Sequence, residues 1–494
     1  MNVVVIASEA VPFAKTGGLA DVAGALPLAL DRLGHSASLI VPCYRRARKV
    51  GLSLQSTGLI LRIPVGSQLI EGHVQVCKLP DSGVTAYLID QPAYFDREGL
   101  YQSGGADYPD NCARFTFFCR AALEAIRLLD LRPDVLHCND WQTGLVPVYL
   151  EELYRGLPHF GAVGTLLTIH NLAYQGSFWH WDMLLTGLDW RLFNWTQLEF
   201  HGRLNLLKAG LVFADLLNTV SPTYAREIQG PELGCGLDGL LRARRADLHG
   251  IVNGIDHAHW NPATDPMLAA SYDARTVAAG KAACKAQLQR RASLPERPDV
   301  PLIAQIGRLD PQKGWDLLAS VAVDLLNRDV QMVVLGEGQP RYHTLLDELG
   351  DQHSGKLRAF LEFSNPLAHQ IEAGADLFLM PSLYEPCGLN QLYSLAYGTV
   401  PVVHATGGLA DTVVDATPKA LADGTATGFA FQEATPEALR GAIDRALALW
   451  PDRTAWNRIV RAGMRADWSW DHSALAYVSL YEEIARRRAA RAAG

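Results

Sequence analysis

The sequence predicts an α/β protein built from two doubly wound domains. Three observations lead there. The chain has 494 residues, more than one hydrophobic core usually covers. Short apolar runs alternate with helix-spaced segments in both halves, as doubly wound sheets require. Glycine and polar residues gather just after those runs, where open α/β sheets bind ligands.

Composition narrows the class. Hydrophobic residues make up 49% and charged residues 19%, below the roughly 25% of ordinary soluble proteins, which speaks against disorder. No run approaches the ~18 apolar residues of a membrane span. The first residues lack a basic stretch and meet Glu9 early, so they read as a strand and not a signal peptide, and a cytoplasmic protein is expected. A net charge of −8 argues against a nucleic-acid surface. Eight cysteines without a C-x-x-C pair fit reduced thiols. Fifteen histidines include no H-E-x-x-H arrangement, so no zinc site is evident. Arg486-Arg-Arg488 and Arg491 are expected to coat the end of a terminal helix.

Val3-Val-Val-Ile-Ala7 is the first strand, and apolar spacing from Leu19 through Leu30 marks the helix after it. The Gly17-Gly18 turn between them offers backbone N–H groups, with Lys15 alongside, to an anionic ligand. Taken alone, the pair reads more simply as a plain strand-to-helix turn. Leu39-Ile-Val41 follows as a strand, and residues 51–90 alternate as short strands decorating the domain. Tyr101–Tyr108 reads as a polar loop and Asn111–Leu129 as a helix. Val135-Leu136 run into His137, Asn139 and Asp140, and Leu166-Leu-Thr-Ile169 into His170-Asn171, so polar residues end successive strands like a cleft rim. For His137 a satisfied structural role is the better reading. Val212–Val220 reads as a strand before Ser221-Pro222, a helix N-cap with Pro at the first helical position, and Ile251–Asp256 as a last strand and turn.

The segment from Trp260 to Pro301 looks like a bridge, helix-prone over Lys281–Arg291. A new α/β pattern opens at Leu302-Ile-Ala-Gln-Ile306 and leads to Arg308 and Lys313, two cations in one glycine-bounded loop that could face a diphosphate or simply be solvated. Strands follow at Val330–Leu335, Leu357–Leu361 and Ala375–Met380. The last opens into Ser382-Leu-Tyr-Glu-Pro-Cys-Gly-Leu-Asn390, where Gly388 admits close backbone approach and Glu385 either faces a polar ligand or is a solvated glutamate on a surface loop. Val400–Val403 leads to Thr406-Gly-Gly-Leu-Ala-Asp411, a five-residue echo of Gly17-Gly-Leu-Ala-Asp21 that suggests two similar helix starts. Residues 436–449 and 470–491 are helical.

Together, Lys15-Thr-Gly-Gly-Leu-Ala-Asp-Val22, His170-Asn-Leu-Ala-Tyr-Gln-Gly176, Val220-Ser-Pro-Thr-Tyr224, Val252-Asn-Gly-Ile-Asp256, Gly307-Arg-Leu309 with Gln312-Lys-Gly314, and Glu385-Pro-Cys-Gly-Leu389 resemble, in order and across nearly the whole chain, bacterial glycogen synthases and plant starch synthases. The resemblance implies a GT-B glycosyltransferase. Two Rossmann-like doubly wound domains would face a deep interdomain cleft: residues 1–260 acceptor-side, 261–300 a bridge, 301–470 nucleotide-sugar-binding, and 471–494 a helix packing back on the first domain. It implies retaining transfer of glucose from ADP-glucose to the non-reducing 4-hydroxyl of an α-1,4-glucan such as glycogen, with no cofactor and no required metal. UDP-glucose as donor, or a non-catalytic glucan-binding relative, are the alternatives.

By the same resemblance Arg308, Lys313, Lys15 and the N–H groups near Gly18 and Leu389 stabilise the diphosphate. Glu385, Cys387 and Gly388 hold the donor glucose, His170 sits by its C6 hydroxyl, and Asn253 lines the sugar pocket. Asp21 and Asp140 lie on the acceptor side. Three positions depart from the wider pattern: Tyr393 stands where a second glutamate is common, Asn390 where threonine is frequent, and Phe363 where an aromatic, often tyrosine, stacks on adenine.

Overall fold

Buried apolar strands organise both halves of the computed structural model, which describes residues 1–493. The chain forms two units. The first contains Met1–Val220, Ala225–Gly254 and the C-terminal segment from Trp470; the second contains Ser221–Tyr224 and Ile255–Ser469.

In the first unit a nine-stranded sheet runs Leu248–Gly250, Leu216–Thr219, Gly164–Ile169, Val135–Asn139, Asn2–Ile6, Ser36–Pro42, Thr85–Asp90, Gln68–Lys78, Gln55–Val65. The first seven are mutually parallel. Thr85–Asp90, expected as decoration, is one of them, because Ala86, Leu88 and Ile89 are wholly buried and need cover on both faces. Only the hairpin Gln55–Lys78 is antiparallel, with the alternating burial of a strand pair that has one wet face. The order reverses at Asn2–Ile6, which has Ser36–Pro42 on one side and Val135–Asn139 on the other. That reversal is the topological switch point, where doubly wound sheets hold their ligands.

Several expected boundaries move. Val212 and Phe213 end a helix, Leu206–Phe213, and the strand starts only at Leu216; an unbroken apolar run cannot show where one element stops and the next begins. The last strand is Leu248–Gly250 and precedes Ile251–Asp256, of which only Ile255 pairs, in a bridge to Ser469. Within Tyr101–Tyr108 lies a small hairpin, Gln102–Ser103 with Ala106–Asp107. Ser221 caps the helix Pro222–Glu227 through its Oγ, which accepts the Tyr224 N–H at 3.1 Å.

The C-terminal helix Trp470–Ala493 belongs to the first unit's core through Trp470, Tyr477, Tyr481 and Ile484. A Cβ on Gly164 would lie 2.0 Å from Ile484 Cγ2, so glycine there lets helix and sheet meet. Arg487 pairs with Asp247 at 2.7 Å and Arg488 with Asp215 at 2.9 Å, so these arginines fasten the helix as well as coating it.

The second unit carries an all-parallel six-stranded sheet, ordered Leu357–Phe360, Gln331–Leu335, Leu302–Ile306, Leu377–Met380, Val400–His404, Phe429–Phe431. Its switch point lies between Leu302–Ile306 and Leu377–Met380. Residues 261–300, expected as a bridge, are packed into this unit. The helix Val277–Arg291 lies against Asn365–Gly374, and buried Asp265 accepts from Tyr397 Oη at 2.6 Å beside His369 Nδ1 at 2.7 Å. Tyr393 stacks on Trp260 at 3.8 Å and is buried in this aromatic layer, where a charged side chain would lose the stacking and be desolvated. Among the described residues no helix is long and apolar enough to cross a membrane.

Candidate active site

In the first unit the candidate side chains come from the loops that leave the switch-point strands. After Asn2–Ile6 the chain runs through Ser8 and Glu9 to the Lys15–Gly18 loop, and the helix Gly18–Arg32 starts there. Lys15 Nζ lies 2.7 Å from Asp21 Oδ1, one turn into that helix, so a cation and a carboxylate expected in separate roles form one exposed ion pair. Glu9 is a buried carboxylate that sequence reasoning missed. It accepts the Thr16 and Gly17 N–H groups, the Thr16 hydroxyl at 2.9 Å and the Tyr101 hydroxyl at 3.3 Å. Burial pushes its pKa above the usual carboxylate value, against the pull of these hydrogen bonds.

After Val135–Asn139 comes Asp140, held at φ +55°, a left-handed backbone that costs a non-glycine residue of order 1–3 kcal/mol and recurs at functional sites. Its Oδ1 accepts the His170 N–H at 2.7 Å. Burial raises its pKa to about 7, with the Glu9 charge adding to the shift. His170 Nε2 lies 2.9 Å from Asn139 Oδ1. Asn139 Nδ2 faces the carbonyls of Ile6 and His137, so Oδ1 must accept, Nε2 carries the proton, and Nδ1 keeps its lone pair. Burial lowers the His170 pKa to about 3, so the ring is neutral near pH 7. Asn253 is buried, and its Oδ1 accepts no hydrogen bond among the described residues. His137 lies between Tyr481 Oη at 2.9 Å and Thr168 Oγ1 at 2.7 Å, a structural histidine.

In the second unit the loops after the two switch-point strands are stapled together. The Leu383 N–H donates to Gln312 O at 2.8 Å and Gln312 Nε2 to Tyr384 O at 3.2 Å. A Cβ on Gly314 would fall 1.9 Å from Pro381 O, and its φ is +75°, so only glycine lets these loops touch. The result brings Lys313 Nζ to 2.6 Å from Glu385 Oε2, with the Ser382 hydroxyl 3.1 Å from the same oxygen. Arg308 is more open, paired with Asp310 at 2.8 Å and Gln312 at 2.8 Å.

Cys387 is buried, Gly388 turns at φ +74°, and Leu389 precedes the helix Asn390–Tyr397. Gln391, another residue missed from the sequence, donates through Nε2 to the Cys387 and Gly388 carbonyls at 3.0 and 3.1 Å. Asn390 reaches across to Ile306 O at 2.8 Å, a bridge between both strand ends that its long amide can span. Phe363 is not gathered into this cluster. It follows the edge strand Leu357–Phe360 and is 87% exposed.

The two Gly-Gly-Leu-Ala-Asp segments differ in what surrounds them. Nothing lies within 4 Å of a Cβ built on Gly17, and both Gly17 and Gly18 are exposed. Gly407 and Gly408 are buried instead, with Cβ positions 1.9 Å from Glu385 O and 2.0 Å from Cys387 O. The Gly408 N–H donates to Glu385 O at 3.1 Å. One pair leaves backbone open; the other supports the Glu385 loop. Among the described residues no three His, Cys, Asp or Glu side chains form a metal-binding group.

Comparison with known proteins agrees over the whole chain. Residues 2–243 match the family model described as starch synthase catalytic domain, and residues 287–462 match glycosyl transferases group 1. Glycogen synthase from Syntrophotalea carbinolica is 48% identical, covering 98% of this chain and 99% of its own length. That of Anaeromyxobacter dehalogenans is 49% identical over 98% and 100%. The catalytic domain of starch synthase IV from Arabidopsis thaliana, solved bound to ADP and acarbose, is 32% identical with a TM-score of 0.89, covering 98% of this chain and 99% of its own. The two-domain α/β fold and this full-length similarity place the chain in the glycogen and starch synthase family of GT-B glycosyltransferases.

Proposed function

We propose that this chain is an ADP-glucose-dependent glycogen (starch) synthase. It moves glucose from ADP-glucose to the non-reducing 4-hydroxyl of an α-1,4-glucan, with retention at the anomeric carbon. The observation that carries the reading is the convergence of Arg308, Lys313 and Glu385 at neighbouring strand ends, in a chain similar to glycogen synthases along its whole length. That the Arabidopsis relative was solved with ADP, the nucleotide that ADP-glucose leaves behind, supports the donor.

As the bond from C1 to the diphosphate breaks, negative charge grows on the leaving oxygens. Arg308, Lys313, Lys15 and the N–H groups near Gly18 and Leu389 stabilise it, and removing one such donor costs roughly 10²–10³ in rate. Glu385, fixed by Lys313 and Ser382, accepts hydrogen bonds from the donor glucose hydroxyls, with the Cys387 and Gly388 backbone beside it. His170 offers the Nδ1 lone pair to the C6 hydroxyl, and Asn253 offers an uncommitted Oδ1. The exposed Phe363 ring stacks on adenine, and Asn390 holds the loop that carries Leu389. Asp21 and Asp140 orient the acceptor. The leaving diphosphate oxygen takes the proton of the attacking 4-hydroxyl, so no protein carboxylate need serve as a strong acid. All eight cysteines are free, which fits a reducing cytoplasm.

The test is incorporation of labelled glucose from ADP-glucose into glycogen, followed by digestion with a hydrolase specific for α-1,4 links. Label that enters and is then released supports the proposal. Glycogen binding without incorporation would favour a non-catalytic glucan-binding protein.

A further inference from the structure

Glu9 takes no part in the transfer chemistry above, yet it is 4% exposed and spends its whole acceptor capacity on one loop and one tyrosine. The loop is Lys15-Thr-Gly-Gly18, whose four residues are all exposed. Apart from the exposed ion pair of Lys15 with Asp21 at 2.7 Å, side chains do not hold it in the usual ways. The Gly17 N-cap has no side chain to cap the helix Gly18–Arg32, and no atom lies within 4 Å of where its Cβ would be. What fixes the loop is the Glu9 carboxylate, through the Thr16 and Gly17 N–H groups and the Thr16 hydroxyl, with contacts at 2.9 and 3.0 Å to the last. Behind Glu9, Tyr101 donates at 3.3 Å, and Ser8 Oγ lies 2.7 Å from the Tyr101 hydroxyl.

We infer that Glu9 is a positioning residue for the donor-binding loop: it draws in the N–H groups of Thr16 and Gly17 and so fixes the backbone that presents the N–H groups of Gly18 and Leu19 to a diphosphate. Four donors converge on this side chain, and only an ionised carboxylate accepts four hydrogen bonds while donating none. A glutamine of the same shape has one acceptor oxygen and an NH₂ group that would face the loop's own N–H donors. The Glu9 carboxylate takes the N–H groups of Thr16 and Gly17, the two residues just before the helix Gly18–Arg32, and leaves those of the helix's first turn to a ligand. The inference rests on the proposed role of the loop in binding ADP-glucose.

The test compares full-length wild type, Glu9→Gln and Glu9→Asp by amide hydrogen exchange over residues 14–19 and by calorimetric titration with ADP. In Glu9→Gln exchange over 14–19 should quicken about tenfold, the loss of one charge-assisted hydrogen bond, while the other strand ends of the first sheet stay unchanged. ADP should bind about tenfold more weakly. Glu9→Asp, one methylene shorter but still a carboxylate, should fall between the two, and it reads the same network if the glutamine variant does not fold. Unchanged exchange over 14–19 in both variants overturns the inference, as does a loosened loop with wild-type ADP affinity. If wild type itself does not bind ADP, the donor reading fails, and the exchange data alone decide whether Glu9 holds the loop.

Discussion

Removing Lys313 should destabilise the second unit more than removing the charge of its partner. The Lys313 ammonium and the Glu385 carboxylate lie 2.6 Å apart, with side chains 23% and 9% exposed. In Lys313→Ala the carboxylate stays in place with the Ser382 hydroxyl still donating to it at 3.1 Å. Breaking a buried pair in this way costs about 3–5 kcal/mol, and the lower end applies here because water can follow the partly exposed lysine out. Glu385→Gln leaves a lysine that solvent can reach, so its cost is about 1 kcal/mol, one ordinary hydrogen bond. For a domain of this size 1 kcal/mol moves the melting midpoint by roughly 2–4 °C, which puts Lys313→Ala roughly 6–12 °C below wild type and Glu385→Gln roughly 2–4 °C below. Adding Glu385→Gln to Lys313→Ala should recover part of the loss, because no unpaired buried charge remains. Scanning calorimetry of the three variants at one pH measures this. Equal shifts for the single variants, with strict additivity in the double, would show that the pair is not formed in solution.

Three further outcomes follow from the geometry. Asp140, at a pKa of about 7 when folded, holds its proton more tightly folded than unfolded; the resulting stability is full below about pH 4 and is lost as pH rises through 7. Asp140→Asn should therefore gain on wild type by about 1.4 kcal/mol per pH unit across that window, and parallel melting curves from pH 5 to 8 would contradict it. His170 should show an Nε2–H tautomer in nitrogen NMR and no titration between pH 5 and 8, since its depressed pKa makes the neutral ring's stability full above the ordinary histidine range and lost progressively as pH falls from there through about 3; a midpoint near 6.5 would refute this. Gly408→Ala should lose several kcal/mol and most activity, because its Cβ meets Cys387 O at 2.0 Å. Gly17→Ala, with open space around it, should lose under about 1 kcal/mol; equal denaturation midpoints would be the contrary result.

What was legible in the sequence was local. Apolar runs located the parallel strands, and glycine-bounded polar stretches after them located the loops at both switch points, where Arg308, Lys313 and Glu385 lie. Contacts between distant residues were not legible. Glu9 looked like the end of a strand because its partners Thr16 and Tyr101 become neighbours only when the loop folds back. The pairing of Lys313 with Glu385 joins residues 72 apart, and nothing in either segment announces the other. Gly17-Gly18 and Gly407-Gly408 share five letters, but the first faces open space while the second lies beneath a loop, a difference set by the surrounding fold. Val212-Phe213 failed for another reason: periodicity carries no mark where a buried helix hands over to a buried strand.

The most direct test of the central claim is initial-rate glucose transfer to glycogen from ADP-glucose and UDP-glucose in parallel, with chelator present, for wild type and Lys313→Ala. Wild type should clearly prefer ADP-glucose, and Lys313→Ala should lose roughly 10²–10³ in rate. A preference for UDP-glucose would overturn the donor assignment, and an undiminished rate in Lys313→Ala would remove Lys313 from the transfer step.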